Sequence, residues 1–258
     1  MDVLLIGCGR MGGAMARGWT GAYRVLVFDP MLAALPKGAE RVDRLEAIDA
    51  GGELVAVLAV KPQMFAPIAE TLRPLARQGA LFVSIMAGIP LARLEAELGS
   101  GRIVRAMPNT PAAIGKGITA AVAGPGLRDG DRAAVDALLA STGALVWLDD
   151  EGQIDAVTAV SGSGPAYFFR FTEALAAAGV EAGLPPSLAM QLARATFGGA
   201  AALAEADSAG LGELRRQVTS PGGTTAAGLA EMDTDEAIDR LARAVVAAAA
   251  ARSRELAG

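Results

Sequence analysis

The chain has no histidine and a single cysteine in 258 residues. The first absence excludes a Ser-His-Asp or Cys-His catalytic unit and any His-ligated zinc. The second excludes an intrachain disulfide, a Cys-x-x-Cys redox pair and a thiolate zinc cluster. No metal site is expected. A chain so poor in cysteine suits a reducing, cytoplasmic setting. Lysine occurs only as Lys37, Lys61 and Lys116, so catalytic-lysine mechanisms have few candidates. A basic excess is also missing. The net charge of −5 and a pI near 4.9 argue against a nucleic-acid partner. Long apolar runs are absent too. The longest late one, residues 244–251, is bounded by Arg243 and Arg252 and falls short of the roughly 20 residues a membrane span needs. The first residues lack the cationic region and the longer apolar run of a signal peptide.

What remains is glycine-rich and apolar, with 32 glycines and 52% hydrophobic residues. That is enough for a sizeable core and too apolar for disorder. Short β-rich runs alternate with helical ones through the first half. Strands are expected at 3–6, 24–28, 54–60, 80–85, 103–107, 118–123 and 144–148. Helices are expected at 11–20, from Pro62 to a stop at Gly79, at 90–98 before Gly99, and at 129–141. The 54–60 run is apolar throughout, as in a parallel strand covered on both faces. This alternation predicts an α/β fold, a doubly wound parallel sheet over residues 1–150.

Beyond 150 the pattern is helical, with helices expected at 155–178, 187–206, 211–219, 224–232 and 235–256. Several are alanine-rich and apolar all round. Such a helix must be covered, and a second copy of the chain is the simplest cover. Residues 151–258 therefore read as an all-α domain of a homodimer.

The strongest local motif is Gly7-Cys8-Gly9-Arg10-Met11-Gly12, a G-x-G-x-x-G between an expected strand and an expected helix. In that context the first glycine makes a tight turn, the second lets the backbone approach a pyrophosphate, and the third permits close helix–strand packing. The helix start offers unpaired N–H groups to the phosphates. A glycine turn with a packing role alone is the alternative. Asp29 closes the second strand, where an acidic residue hydrogen-bonds the ribose hydroxyls of NAD; a solvated turn residue before Pro30 is the plainer reading. No arginine follows it directly to take the 2′-phosphate of NADPH, although Arg10 can reach from the glycine loop. Val60-Lys61-Pro62, Met86-Ala87-Gly88 and Met107-Pro108-Asn109 each follow a strand, at the edge where open sheets bind ligands. Proline and glycine mark ordinary turns as well. Cys8 reads as a small residue beside the cofactor, since a thiol nucleophile here has no histidine partner.

Two motifs stand in the helical half. Ser161-Gly162-Ser163-Gly164-Pro165 interrupts the first long helix. Ser220-Pro221-Gly222-Gly223-Thr224-Thr225 opens a later one, and its freed backbone N–H groups make a main-chain anion site. A plain helix cap is the alternative.

Taken together these segments resemble the pyrroline-5-carboxylate reductase family, nearly end to end. The likeness rests on the glycine loop, Ala59-Val60-Lys61-Pro62-Gln63, Ala87-Gly88, Arg105-Ala106-Met107-Pro108-Asn109-Thr110-Pro111, Ser161-Gly162-Ser163-Gly164-Pro165-Ala166-Tyr167, and above all Val218-Thr219-Ser220-Pro221-Gly222-Gly223-Thr224-Thr225 with Gly228-Leu229. The resemblance implies a Rossmann-like first domain and a helical second domain that interlocks two subunits, with a decamer as a further possibility. It implies reduction of 1-pyrroline-5-carboxylate to L-proline, the last step of proline synthesis, with NADPH or NADH. Ile6, Gly7, Cys8, Gly9, Arg10, Met11, Ala59, Val60, Lys61, Pro62, Met86, Ala87 and Gly88 would line the cofactor. Ser220, Gly222, Gly223, Thr224 and Thr225 would hold the substrate carboxylate, with Thr225 on the ring nitrogen as the catalytic residue. Family habit favours NADPH, with small or basic residues after the second strand; Asp29 tilts this chain toward NADH.

A protonated imine accepts hydride readily, so orientation can supply most of the catalysis, in keeping with the missing histidine. A β-hydroxyacid dehydrogenase has a similar layout but needs a lysine beyond the domain boundary, and no lysine follows Lys116. A broader imine reductase remains an alternative, as does a dinucleotide-binding protein without turnover, against which the 220–225 segment argues.

Overall fold

The computed structural model describes residues 1–50 and 53–257. Two compact units result, Met1–Gly162 with Ala249–Gly258, and Ser163–Ala248. The first is built on one sheet of eight strands in the order β3-β2-β1-β4-β5-β6-β7-β8. They are β1 (Asp2–Ile6), β2 (Arg24–Phe28), β3 (Glu40–Arg41), β4 (Leu54–Leu58), β5 (Leu81–Ser84), β6 (Ile103–Met107), β7 (Gly117–Ala123) and β8 (Gly143–Leu148). All neighbours run parallel except β6 and β7. That antiparallel pair departs from the all-parallel expectation. Its link is short, a 3-10 turn at Thr110–Ile114, too short for the helical crossover that a parallel pair requires. The two-residue strand β3 was also unforeseen, having no apolar run to announce it.

Alternation along the central strands feeds two cores. Leu4, Ile6, Ala56, Leu58 and Phe82 point to one face, under helices α2 (Phe65–Arg77) and α3 (Leu91–Leu98). Val3, Leu5, Val55, Val57 and Val83 point to the other, under α1 (Arg10–Trp19) and α4 (Asp131–Leu139). All five residues of β4 are buried, as its continuous apolar run requires. Gly99 ends α3 at φ +72, a left-handed position that glycine adopts without a Cβ penalty.

The expected helix over 155–178 is broken. A four-residue helix α5 (Ile154–Val157) passes into a π turn (Thr158–Gly162), and α6 (Gly164–Glu181) starts afresh with Pro165 in its first turn. Proline lacks an N–H and suits a helix's first turn, not its interior. These residues up to Gly162 belong to the first unit, as does the end of α10 (Ala237–Ala257). Contact thus divides the chain later than residue 150.

The second unit is helical. Helices α6 and α7 (Pro186–Ala206) pack side by side, with Phe197 stacked on Phe168 and edge-on to Phe169. Helices α8 (Leu211–Gln217), α9 (Thr224–Asp233) and the start of α10 complete it. No helix among the described residues is long and apolar enough to cross a membrane.

Candidate active site

The chain turns outward on either side of β1, which pairs with β2 on one edge and β4 on the other. The crevice at the carboxyl ends of these strands is where open α/β sheets take ligands. The glycine loop lies there, and its three glycines do three different things. Gly7 sits at φ +89, and a Cβ on it would fall 2.8 Å from the Ala59 carbonyl oxygen. Gly12 would drive a Cβ into the Gly7 carbonyl and onto Ala59 and Leu5, so it permits the close seating of α1. Gly9 has nothing within 4 Å of its Cβ position. It precedes the first turn of α1, which has no side-chain cap bond, and Gly9, Arg10 and Met11 line a cleft. This is a cradle of the shape and polarity that a pyrophosphate fits.

Asp29 grips this loop. Its Oδ2 accepts from the Cys8 amide at 2.7 Å and its Oδ1 from the Met31 amide at 2.9 Å. Each carboxylate oxygen retains acceptor capacity for a ribose hydroxyl. Cys8 is buried, and both that burial and the neighbouring Asp29 carboxylate push its thiol pKa up. The side chain is held as a neutral thiol, which agrees with a spacer and not a nucleophile.

Beside the loop lies a cleft of about 670 Å3 lined by Gly9, Arg10, Arg17, Leu35, Pro36 and Thr110, among others. Arg17 was not singled out from sequence, but it stands two helical turns after Arg10, on the same face. Leu35 and Pro36 carry no motif that could have pointed to them.

The other segments close the same edge. Ala59 follows β4 and its amide donates to the Ile6 carbonyl at 2.8 Å. Val60, Lys61 and Pro62 lead into a 3-10 turn before α2, with Lys61 exposed. Met86 is buried, Ala87 exposed. Gly88 sits at φ +73, and a Cβ there would come within 2.9 Å of the Leu256 carbonyl oxygen at the end of α10. Met107 ends β6 and Pro108 and Asn109 follow it, the last two buried. All the residues expected at the cofactor are thus brought to one edge of the first unit.

The residues expected at the substrate stand together in the second unit. Gly222 is at φ +70, and the Gly223 amide donates to the Ser220 carbonyl at 3.0 Å. A Cβ on Gly223 would lie 2.6 Å from Ser220 Oγ. The turn delivers the start of α9 with Gly223 as its cap and no side-chain cap bond. Neither Ser220 nor Thr224 therefore serves as the plain cap weighed above. Ser220, Thr224 and Thr225 are exposed.

Known proteins resemble this chain in both halves. A family model described as pyrroline-5-carboxylate reductase dimerisation matches residues 151–256, and one described as NADP oxidoreductase, coenzyme F420-dependent, matches residues 2–88. The pyrroline-5-carboxylate reductase of Pseudomonas aeruginosa is 40% identical over 99% of this chain and 96% of its own. The solved structure of the enzyme from Coxiella burnetii superposes with a TM-score of 0.92 at 30% identity, covering 100% of this chain and 98% of that one. That of the Plasmodium falciparum enzyme with NADP bound gives 0.84 at 27% identity, covering 100% and 98%. With that coverage and identity, and with both halves matched, the chain belongs to the pyrroline-5-carboxylate reductase family.

Proposed function

We propose that this chain reduces 1-pyrroline-5-carboxylate to L-proline with a reduced nicotinamide dinucleotide, as the last step of proline synthesis. What carries the reading is the 220–225 turn, which presents an uncapped start of α9 on a chain that also holds a built dinucleotide loop. In this reading residues 1–150 bind the dinucleotide and residues 151–258 bind substrate and a second copy of the chain.

The open amides of α1 beyond Gly9 receive the pyrophosphate, and Asp29 faces the ribose. Residues 59–62, 86–88 and 107–109 line the rest. Once bound, the nicotinamide supplies a hydride. The chain's own residues do the remaining work. The backbone of the Gly222–Thr224 turn holds the substrate carboxylate through the Gly222 and Thr224 amides, with the Gly223 amide turned back to the Ser220 carbonyl, and the Thr225 hydroxyl stands at the ring nitrogen. There it orients the imine and passes a proton as the nitrogen becomes an amine.

On the choice of cofactor, Asp29 disfavours a 2′-phosphate while Arg10 and Arg17 line the cleft beside it, so NADH is usable alongside NADPH. The chain acts as a homodimer in the cytoplasm, assembled through the helical half, with no nucleic acid or membrane as partner. Following NADH and NADPH oxidation with pyrroline-5-carboxylate, pyrroline-2-carboxylate and pyruvate tests the assignment. Fastest turnover is expected with the first. Preference for either of the others, or no turnover, overturns it.

A further inference from the structure

The π turn poses a question of hydrogen bonding. Breaking the regular helical ladder between residues 154 and 162 leaves carbonyl groups without their usual partners. Side chains join this ladder. The Ser161 hydroxyl donates to the Val157 carbonyl at 3.0 Å, and the Thr158 hydroxyl donates at 2.8 Å to the Ile154 carbonyl, which also accepts from the Thr158 amide. The Ser161 carbonyl is taken from elsewhere. Asn109 Nδ2 donates to it at 3.2 Å, across 52 residues of sequence. The other end of the same amide is also engaged, since Asn109 Oδ1 accepts from the Ile118 amide at 3.0 Å. Asn109 is 9% exposed.

A second tie runs parallel to this one. Arg105, 6% exposed, donates to Glu151 Oε1 at 2.5 Å. The same oxygen accepts from the Leu91 amide at 2.8 Å and so caps α3 from a distant point of the chain. Residues 105 to 109 span roughly 13 Å as extended chain. Residues 151 to 161 span roughly 15 Å as helix. The two lengths match, so the 151–162 segment lies along the end of β6 and is fastened at both ends. Just past the second tie, Gly162 comes so near that a Cβ on it would lie 3.0 Å from Met107 Cε.

We propose that Asn109 is a positioning residue of the reductase. Both ends of its side-chain amide are engaged within the protein, Nδ2 by the Ser161 carbonyl and Oδ1 by the Ile118 amide. It holds the 107–109 main chain against the π turn and so fixes the edge on which the reacting ring rests. This deepens the function proposed above and depends on it. The energetic logic is that of orientation, in which a displacement of about 1 Å can cost on the order of a hundredfold in rate.

The decisive variant is Asn109→Asp. It keeps the shape and one acceptor for the Ile118 amide, but places an oxygen against the Ser161 carbonyl in place of a donor. Protonating that carboxyl restores the donor, and burial beside a carbonyl moves its pKa upward. The charged side chains on the joined elements, Arg105, Glu151 and Asp155, are common to variant and wild type. The ratio of the two therefore isolates the new carboxyl. We expect kcat to fall at least about tenfold near pH 8, with the Kd for NADPH, read by its fluorescence, within about twofold of wild type. The deficit should shrink as the pH is lowered toward about 6. Asn109→Ala should show a similar deficit with no pH dependence, and it serves alone if the aspartate variant does not fold. A Kd that rises in step with the lost rate makes Asn109 a direct cofactor contact and overturns the proposal. Unchanged kcat overturns it too, as does a deficit in Asn109→Asp that ignores pH. Wild-type protein inactive on pyrroline-5-carboxylate overturns the function and this inference together, whereas any of the other outcomes with active wild type overturns this inference alone.

Discussion

The two compact units bury apolar surface in different ways. In the first, the central strands send alternate side chains into two cores, and Trp19, Phe65 and Phe82 are wholly buried. In the second, the buried hydrophobic residues are Ala176, Ala189, Ala193 and Leu214, while Phe168, Phe169, Phe171, Leu192 and Leu203 stand about half exposed or more. A sheet covered on both faces is a complete solvent for its own side chains. A set of apolar helices without such a layer leaves its large residues facing outward. An apolar area of that size marks an association surface. The first unit is therefore expected to hold its fold as a single copy, and the second to depend on another copy.

The sharpest way to break this contrast is to charge the exposed face. Phe171→Glu should lower the dimer's affinity by at least about a hundredfold, close to 3 kcal/mol, from lost burial and a charge with no partner. Sedimentation should show monomer at micromolar concentration. Calorimetry should then separate an early transition of the helical unit from an unchanged one in the first unit. A variant that stays dimeric, with one common transition, would show that the exposed aromatics are not what joins two copies.

The first unit can be attacked from inside. Arg102 is fastened to Asp131 by Nε at 2.9 Å and Nη2 at 2.6 Å, and Asp131 also accepts from the Arg128 amide. Burial pushes the Asp131 carboxyl up, but the hydrogen bonds from Arg102 and the Arg128 amide outweigh it and hold its pKa below the ordinary carboxylate value. Removing one partner strands the other, so Asp131→Ala should destabilise the first unit by about 3 kcal/mol. The sign of the pH dependence follows from the lowered pKa. The contribution is fully present above the unfolded value near 3.9 and is lost as pH falls through the folded one. Melting curves of variant and wild type should converge in acid; a gap independent of pH would remove the carboxylate from the account.

Next in size is Thr225→Ala, expected to lose about ten- to a hundredfold in kcat/KM, or 1.4 to 2.8 kcal/mol. The dimer and the cofactor affinity should be unchanged, and Thr225→Ser should keep most of the rate. Near-normal turnover in the alanine variant would leave the backbone of the 220–225 turn to do all the positioning.

Much of this was legible in the sequence because local chemistry and final structure agree. The strand at 24–28 was bounded by charge and by Asp29-Pro30, and Gly79 and Gly99 marked helix ends through the left-handed backbone they occupy. The three glycines of the loop and the turn at 220–225 were visible for the same reason. What escaped depends on long-range partners. Nothing near Asn109 announces Ser161, and nothing near Leu91 announces that Glu151 caps it. The antiparallel β7 was hidden because its apolar run reads alike in either direction. The break before α6 was marked by Ser161 to Pro165, yet a π turn in place of a simple stop depends on tertiary contacts that sequence does not print.

The smallest expected effect concerns the dinucleotide. Asp29→Ser should move the kcat/KM ratio toward NADPH by about tenfold, roughly 1.4 kcal/mol, while weakening both cofactors somewhat because the brace on Cys8 is lost. A ratio that does not move would leave Asp29 as a brace alone.

That double duty has an evolutionary side. A residue that only reads the ribose can be exchanged freely as cofactor supply changes. In the proposed reading Asp29 faces the ribose and also ties the glycine loop through the Cys8 amide, so its replacement is expected to alter selectivity and loop order in the same step. A lineage drifting from one dinucleotide to the other would pass through a poorly braced intermediate, unless a substitution elsewhere in the loop came first. On that reading cofactor preference in this chain is entrenched, and a designer wishing to reverse it should rebuild the loop before touching the carboxylate.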